Sequence, residues 1–209
     1  MESFWELLKK LTDPESILLY GGMFLLLFVI FAETGLLIGF FLPGDSLVFI
    51  SGLFCAIKPH YLNNTPIYTL EIYMITSAIL GNMTGYFFGY KTGEKLFSKN
   101  DNLIFKKKYL EMTERFYDKH GKKALIIGRF FPIVRTFAPI LAGAIKMNVK
   151  DFFLLNVSGA ILWIGTICSV GYFLGFKYPE TEKHLGKIIF IMLIITTFPI
   201  IRSYIKKHK

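Results

Sequence analysis

Two arginines that could bind an anion lie in one apolar stretch, residues 124–145. Arg129 and Arg135 are its only charged side chains, and Pro132 and Pro139 interrupt it. An arginine facing lipid at the bilayer centre costs about 2.5–3.5 kcal/mol, so both guanidinium groups should face protein or a wet cavity. Each proline disfavours one straight helix, and broken backbone at membrane depth must be buried or line a cavity. We therefore predict a re-entrant hairpin whose arginines bind a phosphate, which the guanidinium fork fits.

Two acids occur in similarly apolar surroundings earlier in the chain. Glu33 lies near the end of the first apolar run, and Asp45 follows a break at Pro43 and Gly44. Burial favours the neutral form of a carboxyl group and a nearby arginine favours its charged form, so its proton can exchange when the arginine changes partner. Glu33 and Asp45 are therefore predicted to couple protons to transport. A purely structural alternative stays open, in which acids and arginines only neutralise one another.

The other reactive side chains do not form a catalytic or metal-binding arrangement. Both cysteines, Cys55 and Cys168, lie in apolar segments and are typical of packing residues. An aspartyl protease needs two carboxylates that share a proton, and Glu33 is the only other acid within reach of Asp45. The histidines all lie in polar connections or in the tail: His60, His120, His184 and His208. The sequence therefore predicts no enzyme, no metal site and no cofactor.

The composition is that of a membrane protein. The chain has 209 residues, of which 53% are hydrophobic and 17% aromatic, and this is too apolar for an ordinary soluble domain. Its net charge of +9 comes from 24 lysines and arginines against 15 acids. In a membrane protein such an excess belongs on the cytoplasmic side. No polar domain remains that could bind nucleic acid.

Apolar runs of sufficient length predict an all-α polytopic fold with about four spanning helices. Residues 36–57 and 124–145 have arms too short to span, and both are predicted to be re-entrant hairpins. A short interfacial helix is expected at 1–16, because its apolar and basic residues separate onto opposite faces. The predicted spans are 17–36, 70–90, 152–176 and 186–201. They belong to a predicted membrane domain at 17–202, which contains a cytoplasmic connector at 91–123. A basic tail follows at 203–209.

Two sequence pieces recur in the same order, which predicts an internal duplication. Ile38–Pro43 resembles Ile127–Pro132, and Gly85–Lys91 resembles Gly171–Lys177. If the basic connector is cytoplasmic, both termini are cytoplasmic as well, and the first hairpin enters from outside while the second enters from inside. The repeats are therefore predicted to be inverted, which is an architecture of secondary transporters.

The motifs around these residues resemble the DedA family, which is related to the VTT domain of eukaryotic lipid scramblases. The matching pieces are FAE at 31–33, FLPGD at 41–45, GNMTGY at 81–86, GRFFP at 128–132, and Asn156 with Gly159, Ala160 and Trp163. The resemblance implies a bacterial inner-membrane protein that moves lipids. By motif position, its functional acids would be Glu33 and Asp45, and its functional arginines Arg129 and Arg135. Many members have Asp at the position of Asn82, so a titratable role there is in doubt.

The resulting hypothesis is a flippase for an anionic lipid, with undecaprenyl phosphate as the first candidate, driven by protons. A phospholipid substrate, a small-solute or drug transporter of the same fold, and a non-transport assembly role remain alternatives, and a homo-oligomer stays open. The residues expected to support the charged groups are Pro43, Gly44, Asn82, Pro132, Thr136 and Asn156. Of these, Asn82 and Asn156 are typical of hydrogen bonds between membrane helices.

Overall fold

The computed structural model describes residues 14–36, 42–98 and 132–188, and all regular structure within these ranges is helical. Short 3₁₀ turns at Pro59–Leu62 and Pro179–His184 follow two of the α-helices. The predicted all-α class is therefore confirmed for the described residues. The α-helices are α1 (Pro14–Gly35), α2 (Gly44–Ile57), α3 (Ile67–Ser98), α4 (Pro132–Ala144) and α5 (Val149–Lys177).

Among the described residues, two helices are long and apolar enough to cross a membrane, judged by length and composition. They are Glu15–Gly35 in α1 and Val149–Lys177 in α5, and they match the first and third predicted spans. Helix α3 has 32 residues, or about 48 Å, and contains the second predicted span. It is more polar than the other two and continues to Ser98, past the predicted end at Tyr90. The fourth span at 186–201 lies almost wholly outside the described residues, so a four-span topology stays a prediction.

Helices α2 and α4 form the second arms of the two predicted hairpins. They have 14 and 13 residues, about 20 Å each, and are too short for a hydrocarbon core of about 30 Å. Pro43 precedes α2 and Pro132 is the first residue of α4, a position where a missing backbone donor is tolerated. The first arms fall largely on residues 37–41 and 124–131, which lie outside the described residues.

Pro139 differs from the expectation that it breaks the second hairpin. It lies inside α4, which continues to Ala144. Proline removes the N–H that would bond to the carbonyl of residue 135, and its ring crowds that carbonyl. Buried Pro139 and Ile140 lie in the part of α4 that packs on α3, and this packing supports a continuous helix despite the lost hydrogen bond.

The described chain divides into two compact units, and the first combines residues 14–26, 42–72 and 164–188. Eleven of the 14 residues of α2 are buried, so this short helix is enclosed by protein. Its backbone touches that of α5, because a Cβ at Gly52 would overlap the carbonyl of Cys168 and one at Gly171 would overlap that of Phe49. Helix α1 is interrupted at Gly22, where φ is +52°, a value that glycine adopts without a Cβ penalty.

The second unit combines the described residues 27–36, 73–98 and 132–163. Here α4 packs on α3, since a Cβ at Gly89 would overlap the carbonyl of Ile140 and one at Gly143 would overlap that of Tyr86. The Tyr86 ring stacks on Phe152 with centroids 4.6 Å apart, and its hydroxyl donates to the carbonyl of Met147. These contacts fix the arm that carries Arg135 against two long helices.

The two units share one packing pattern. In each, a short helix that starts at or just after a proline presses its backbone onto a Gly-Tyr-Phe-x-Gly segment of a long helix. The pairs are α2 on Gly171–Gly175 and α4 on Gly85–Gly89. Small residues at this spacing let helix backbones approach closely, and the segments are the same recurring pieces that the sequence analysis identified.

Candidate functional site in the second unit

A buried ion pair joins α1 to α4 within the second unit. Arg135 donates from Nη2 to Oε1 of Glu33, and the two side chains are 1% and 4% exposed. Glu33 lies in the last turns of α1 and Arg135 in the first turns of α4. Removing two charges from solvent costs several kcal/mol per ion, which only close pairing and further polar contacts can offset. Glu33 and Arg135 are thus two of the predicted site residues that the structure brings together.

The guanidinium group of Arg135 also stacks on an aromatic ring. Its Cζ lies 4.3 Å from the centroid of the Trp163 ring, and Trp163 is fully buried in α5. An arginine over the face of a tryptophan is attracted by the ring quadrupole, by about 2 kcal/mol when desolvated. This attraction uses the charge of the guanidinium and none of its N–H donors, which serve acceptors such as Glu33.

The neighbouring Thr136 adds a second link between α4 and α1. Its Oγ1 donates to the backbone carbonyl of Glu33 over 3.3 Å, and the residue is buried. On α1, the hydroxyl of Thr34 donates to the carbonyl of Ile30 over 2.8 Å and approaches that of Ala78 at 3.4 Å. Unlike the ion pair, these bonds do not depend on the charge of the Glu33 carboxyl group.

Two buried asparagines join α3 to α5 in the same unit. Asn82 donates from Nδ2 to Oδ1 of Asn156 over 2.9 Å, and Asn156 donates from its own Nδ2 to the carbonyl of Ile79 over 3.1 Å. Buried amides cost free energy unless they are hydrogen-bonded, and this pair is bonded. The predicted role of Asn82 and Asn156 as an interhelical link agrees with this geometry.

Four other predicted residues lie where the two short helices begin. Pro43, Gly44 and Asp45 belong to the first unit, at the start of α2, where Gly44 is buried and Asp45 is partly exposed in the first turn. Pro132 begins α4. Arg129 lies outside the described residues, so its expected pairing, like that of Asp45, stays a prediction.

Among the described residues, no group of three or more metal-ligating side chains could hold a metal ion. The charged groups that the described part of the chain contributes to this site are Glu33 and Arg135, which partner each other. What this arrangement can do chemically is exchange ions. An anion can take the carboxylate's place on the guanidinium, provided that the carboxyl group takes up a proton.

Sequence reasoning missed two contacts. Trp163 was named only as part of the family resemblance, and nothing in the local sequence relates it to Arg135. Glu71 was not singled out, although it is the only charged residue of the span predicted at 70–90. In the first unit its Oε1 accepts a hydrogen bond from Ser169 over 2.8 Å. A lone acid within an apolar run was a signal that could have identified it.

Comparison with known proteins gives a consistent result. Residues 42–173 match the model of the VTT domain. The chain is 38% identical over 202 residues to Protein DedA of Escherichia coli (strain K12), covering 97% of this chain and 89% of that relative. It is 32% identical over 189 residues to Inner membrane protein YqjA of the same strain, covering 90% and 81%. An uncharacterised membrane protein of Mycobacterium leprae (strain TN) is 36% identical over 173 residues, covering 83% and 75%. No solved structure matches.

Proposed function

This chain belongs to the DedA family of VTT-domain membrane proteins, and on that premise we propose that it is a lipid translocase. We infer that it moves an anionic lipid, with undecaprenyl phosphate as the first candidate, across the bacterial inner membrane and that protons drive the exchange. The observation that carries this proposal is the buried Glu33–Arg135 ion pair, because ionisable pairs inside membrane domains usually mark substrate or proton pathways.

In the proposed cycle, Glu33 and Arg135 alternate between each other and the transported ions. A phosphate monoester approaches Arg135 as its monoanion while a proton neutralises the Glu33 carboxylate, so the buried charge stays balanced throughout. The guanidinium then binds phosphate oxygens through the same N–H groups that bound Oε1. Release of the lipid returns the proton and restores the ion pair. Neither ion is left uncompensated at any step, which keeps the barrier low.

The second pair of predicted residues completes this proposal. Asp45 and Arg129 extend it to two acids and two arginines, with Asp45 as a further proton-coupling group and Arg129 as a further phosphate ligand. The recurring contact between the short helix of one repeat and the Gly-Tyr-Phe-x-Gly segment of the other supports our view that the two duplicated segments are inverted repeats. In transporters of that architecture, broken helices of the two repeats form the substrate site.

A transport assay with purified protein in vesicles tests the proposal. A fluorescent polyprenyl phosphate is placed in both leaflets, and a membrane-impermeant reductant then bleaches the outer leaflet, so that translocation appears as continued bleaching. We expect Arg135→Ala to reduce the rate at least 10-fold, and Arg135→Lys to restore little of it, because lysine lacks the planar fork. Glu33→Gln should remove the acceleration that an imposed pH gradient produces in the unmodified protein.

Lys183→Ala is the matched control. Lys183 forms an exposed ion pair with Glu180, with side chains 71% and 84% exposed, and such pairs contribute little. Its translocation rate should equal that of the unmodified protein. Full activity in Arg135→Ala would refute the phosphate-binding role, and uptake of a water-soluble cation without lipid movement would favour the small-solute alternative.

A further inference from the structure

Arg135 makes two contacts of different physical kinds, and only one depends on the charge of Glu33. The salt bridge uses the N–H edge of the guanidinium and requires an ionised carboxylate. The contact with Trp163 joins the guanidinium cation to a neutral ring and requires no hydrogen bond. A change that neutralises Glu33 therefore weakens the first contact and leaves the second in place.

We propose that Trp163 is a positioning residue that holds the Arg135 guanidinium in place when Glu33 loses its charge, so that a phosphate monoester can replace the carboxylate. This inference rests on the proposed function. It assigns to Trp163 the role of keeping the anion site formed while Arg135 exchanges the Glu33 carboxylate for the phosphate. Trp163 itself touches the guanidinium and does not bind the phosphate.

Three hydrogen bonds hold the helices around the Trp163 ring in place. Thr136, adjacent to Arg135, donates to the backbone carbonyl of Glu33, which holds α4 against α1 whatever the state of the carboxyl group. Asn156 lies two turns before Trp163 on α5, and its bonds to Asn82 and to the Ile79 carbonyl fix α5 against α3. None of these three hydrogen bonds involves the charged groups of the ion pair. They therefore support the helices around the ring in either state of Glu33.

The ring type matters for this role. A leucine could fill much of the same space but has no quadrupole to attract a cation, whereas a phenylalanine keeps a weaker one. The two substitutions therefore separate the electrostatic contribution of the ring from simple packing. A stacked guanidinium also has restricted rotation, so fewer of its conformations are lost when an anion binds.

Intrinsic fluorescence tests the inference without any ligand. The chain has two tryptophans, Trp5 and Trp163, so Trp5→Phe leaves Trp163 as the only indole. A cation against the ring shifts the emission of an indole, and Arg135→Ala in this background gives the spectrum of a ring without the guanidinium. We expect Glu33→Gln to keep the emission of the parent, because the guanidinium stays on the ring. If Glu33→Gln gives the Arg135→Ala spectrum, the guanidinium has left and the inference is refuted.

Binding of farnesyl phosphate, measured by equilibrium dialysis, tests the consequence for the anion site. Farnesol is the control for binding of the apolar tail alone. Inorganic phosphate shows whether a free anion binds, and phosphatidylglycerol vesicles show whether a phosphodiester headgroup binds. Neither of these two ligands is a lipid monoester. We expect Trp163→Leu to weaken farnesyl phosphate binding about 10- to 30-fold and Trp163→Phe only a few-fold. Equal binding by a folded Trp163→Leu variant would contradict the inference, and the Phe variant keeps the comparison valid if the Leu variant does not fold.

These readouts distinguish the two hypotheses. If the spectra behave as expected but farnesyl phosphate binds no better than farnesol, Trp163 positions Arg135 and the proposed lipid substrate is wrong. If farnesyl phosphate binds through Arg135 but the emission of Glu33→Gln matches that of Arg135→Ala, the proposed function survives and the role of Trp163 does not.

Discussion

Arg135 and Glu33 are 102 positions apart in the sequence, yet they form a buried ion pair that joins α4 to α1. Removal of either residue would leave the other as a buried ion without its counter-charge, which costs several kcal/mol in a low-dielectric interior. The second contact of Arg135, with Trp163, comes from a third helix. The site is therefore a meeting point of three segments that are distant along the chain.

Disruption of this pair should destabilise the protein strongly. Arg135→Met leaves the Glu33 carboxylate buried without its guanidinium partner, and we expect a loss of about 3–5 kcal/mol in the free energy of unfolding. The double variant Glu33→Gln/Arg135→Met removes both charges and should recover part of that loss. Chemical unfolding in detergent, followed by circular dichroism, measures the difference. Lys183→Met, in an exposed pair, should lie within about 1 kcal/mol of the unmodified protein, and an equal loss there would contradict this account.

Close helix packing predicts opposite results at two glycines. A Cβ at Gly89 would overlap the carbonyl of Ile140, whereas one at Gly165 would meet nothing within 4 Å. Gly89→Ala should therefore separate α3 from α4 and destabilise the protein by about 1–3 kcal/mol. Gly165→Ala should be neutral or stabilise it by up to about 1 kcal/mol through helix propensity. Unfolding midpoints of the two variants in the same detergent provide the test, and equal midpoints would show that the backbones do not touch.

The asparagine link should show strong coupling in a double-mutant cycle. Asn82→Leu leaves Oδ1 of Asn156 without its donor, and Asn156→Leu removes both the acceptor for Asn82 and the donor to the Ile79 carbonyl. A buried polar group left unsatisfied costs about 1–3 kcal/mol. The double variant should therefore lose less than the sum of the two single losses, as judged from unfolding free energies. Strict additivity would mean that the two side chains do not interact.

Glu71 provides a test of which acid couples protons. It is half-buried in the first unit and accepts from Ser169, and a glutamine there can accept the same hydrogen bond. We expect Glu71→Gln to change stability by less than about 1 kcal/mol and to leave the dependence of translocation on the pH gradient intact. Glu33→Gln should abolish that dependence under identical conditions. The reverse result would assign proton coupling to Glu71.

Much of the fold could be predicted because membrane insertion restricts how backbone can be arranged. The positions of α1 and α5 follow from apolar runs long enough to span, and the short α2 and α4 follow from runs divided by Pro43 and Pro132. The expected break at Pro139 was wrong, because a proline in a sequence shows that a hydrogen bond is lost but does not show what packing compensates for it. In the same way, the end of α3 at Ser98 extends into lysine-containing sequence that polarity alone assigned to a connector.

The sequence alone determined the candidate charges, because Glu33 and Arg135 each interrupt apolar segments where an ion must find a partner. It also determined the glycine-rich pieces that allow close packing, and the family resemblance. Only the tertiary structure decided that these two residues are partners, that Trp163 supports the guanidinium, and that Asn82 bonds to Asn156. Such contacts depend on which helices pack side by side after folding. A local sequence pattern carries no information about the distance between two segments that are dozens of residues apart in the chain.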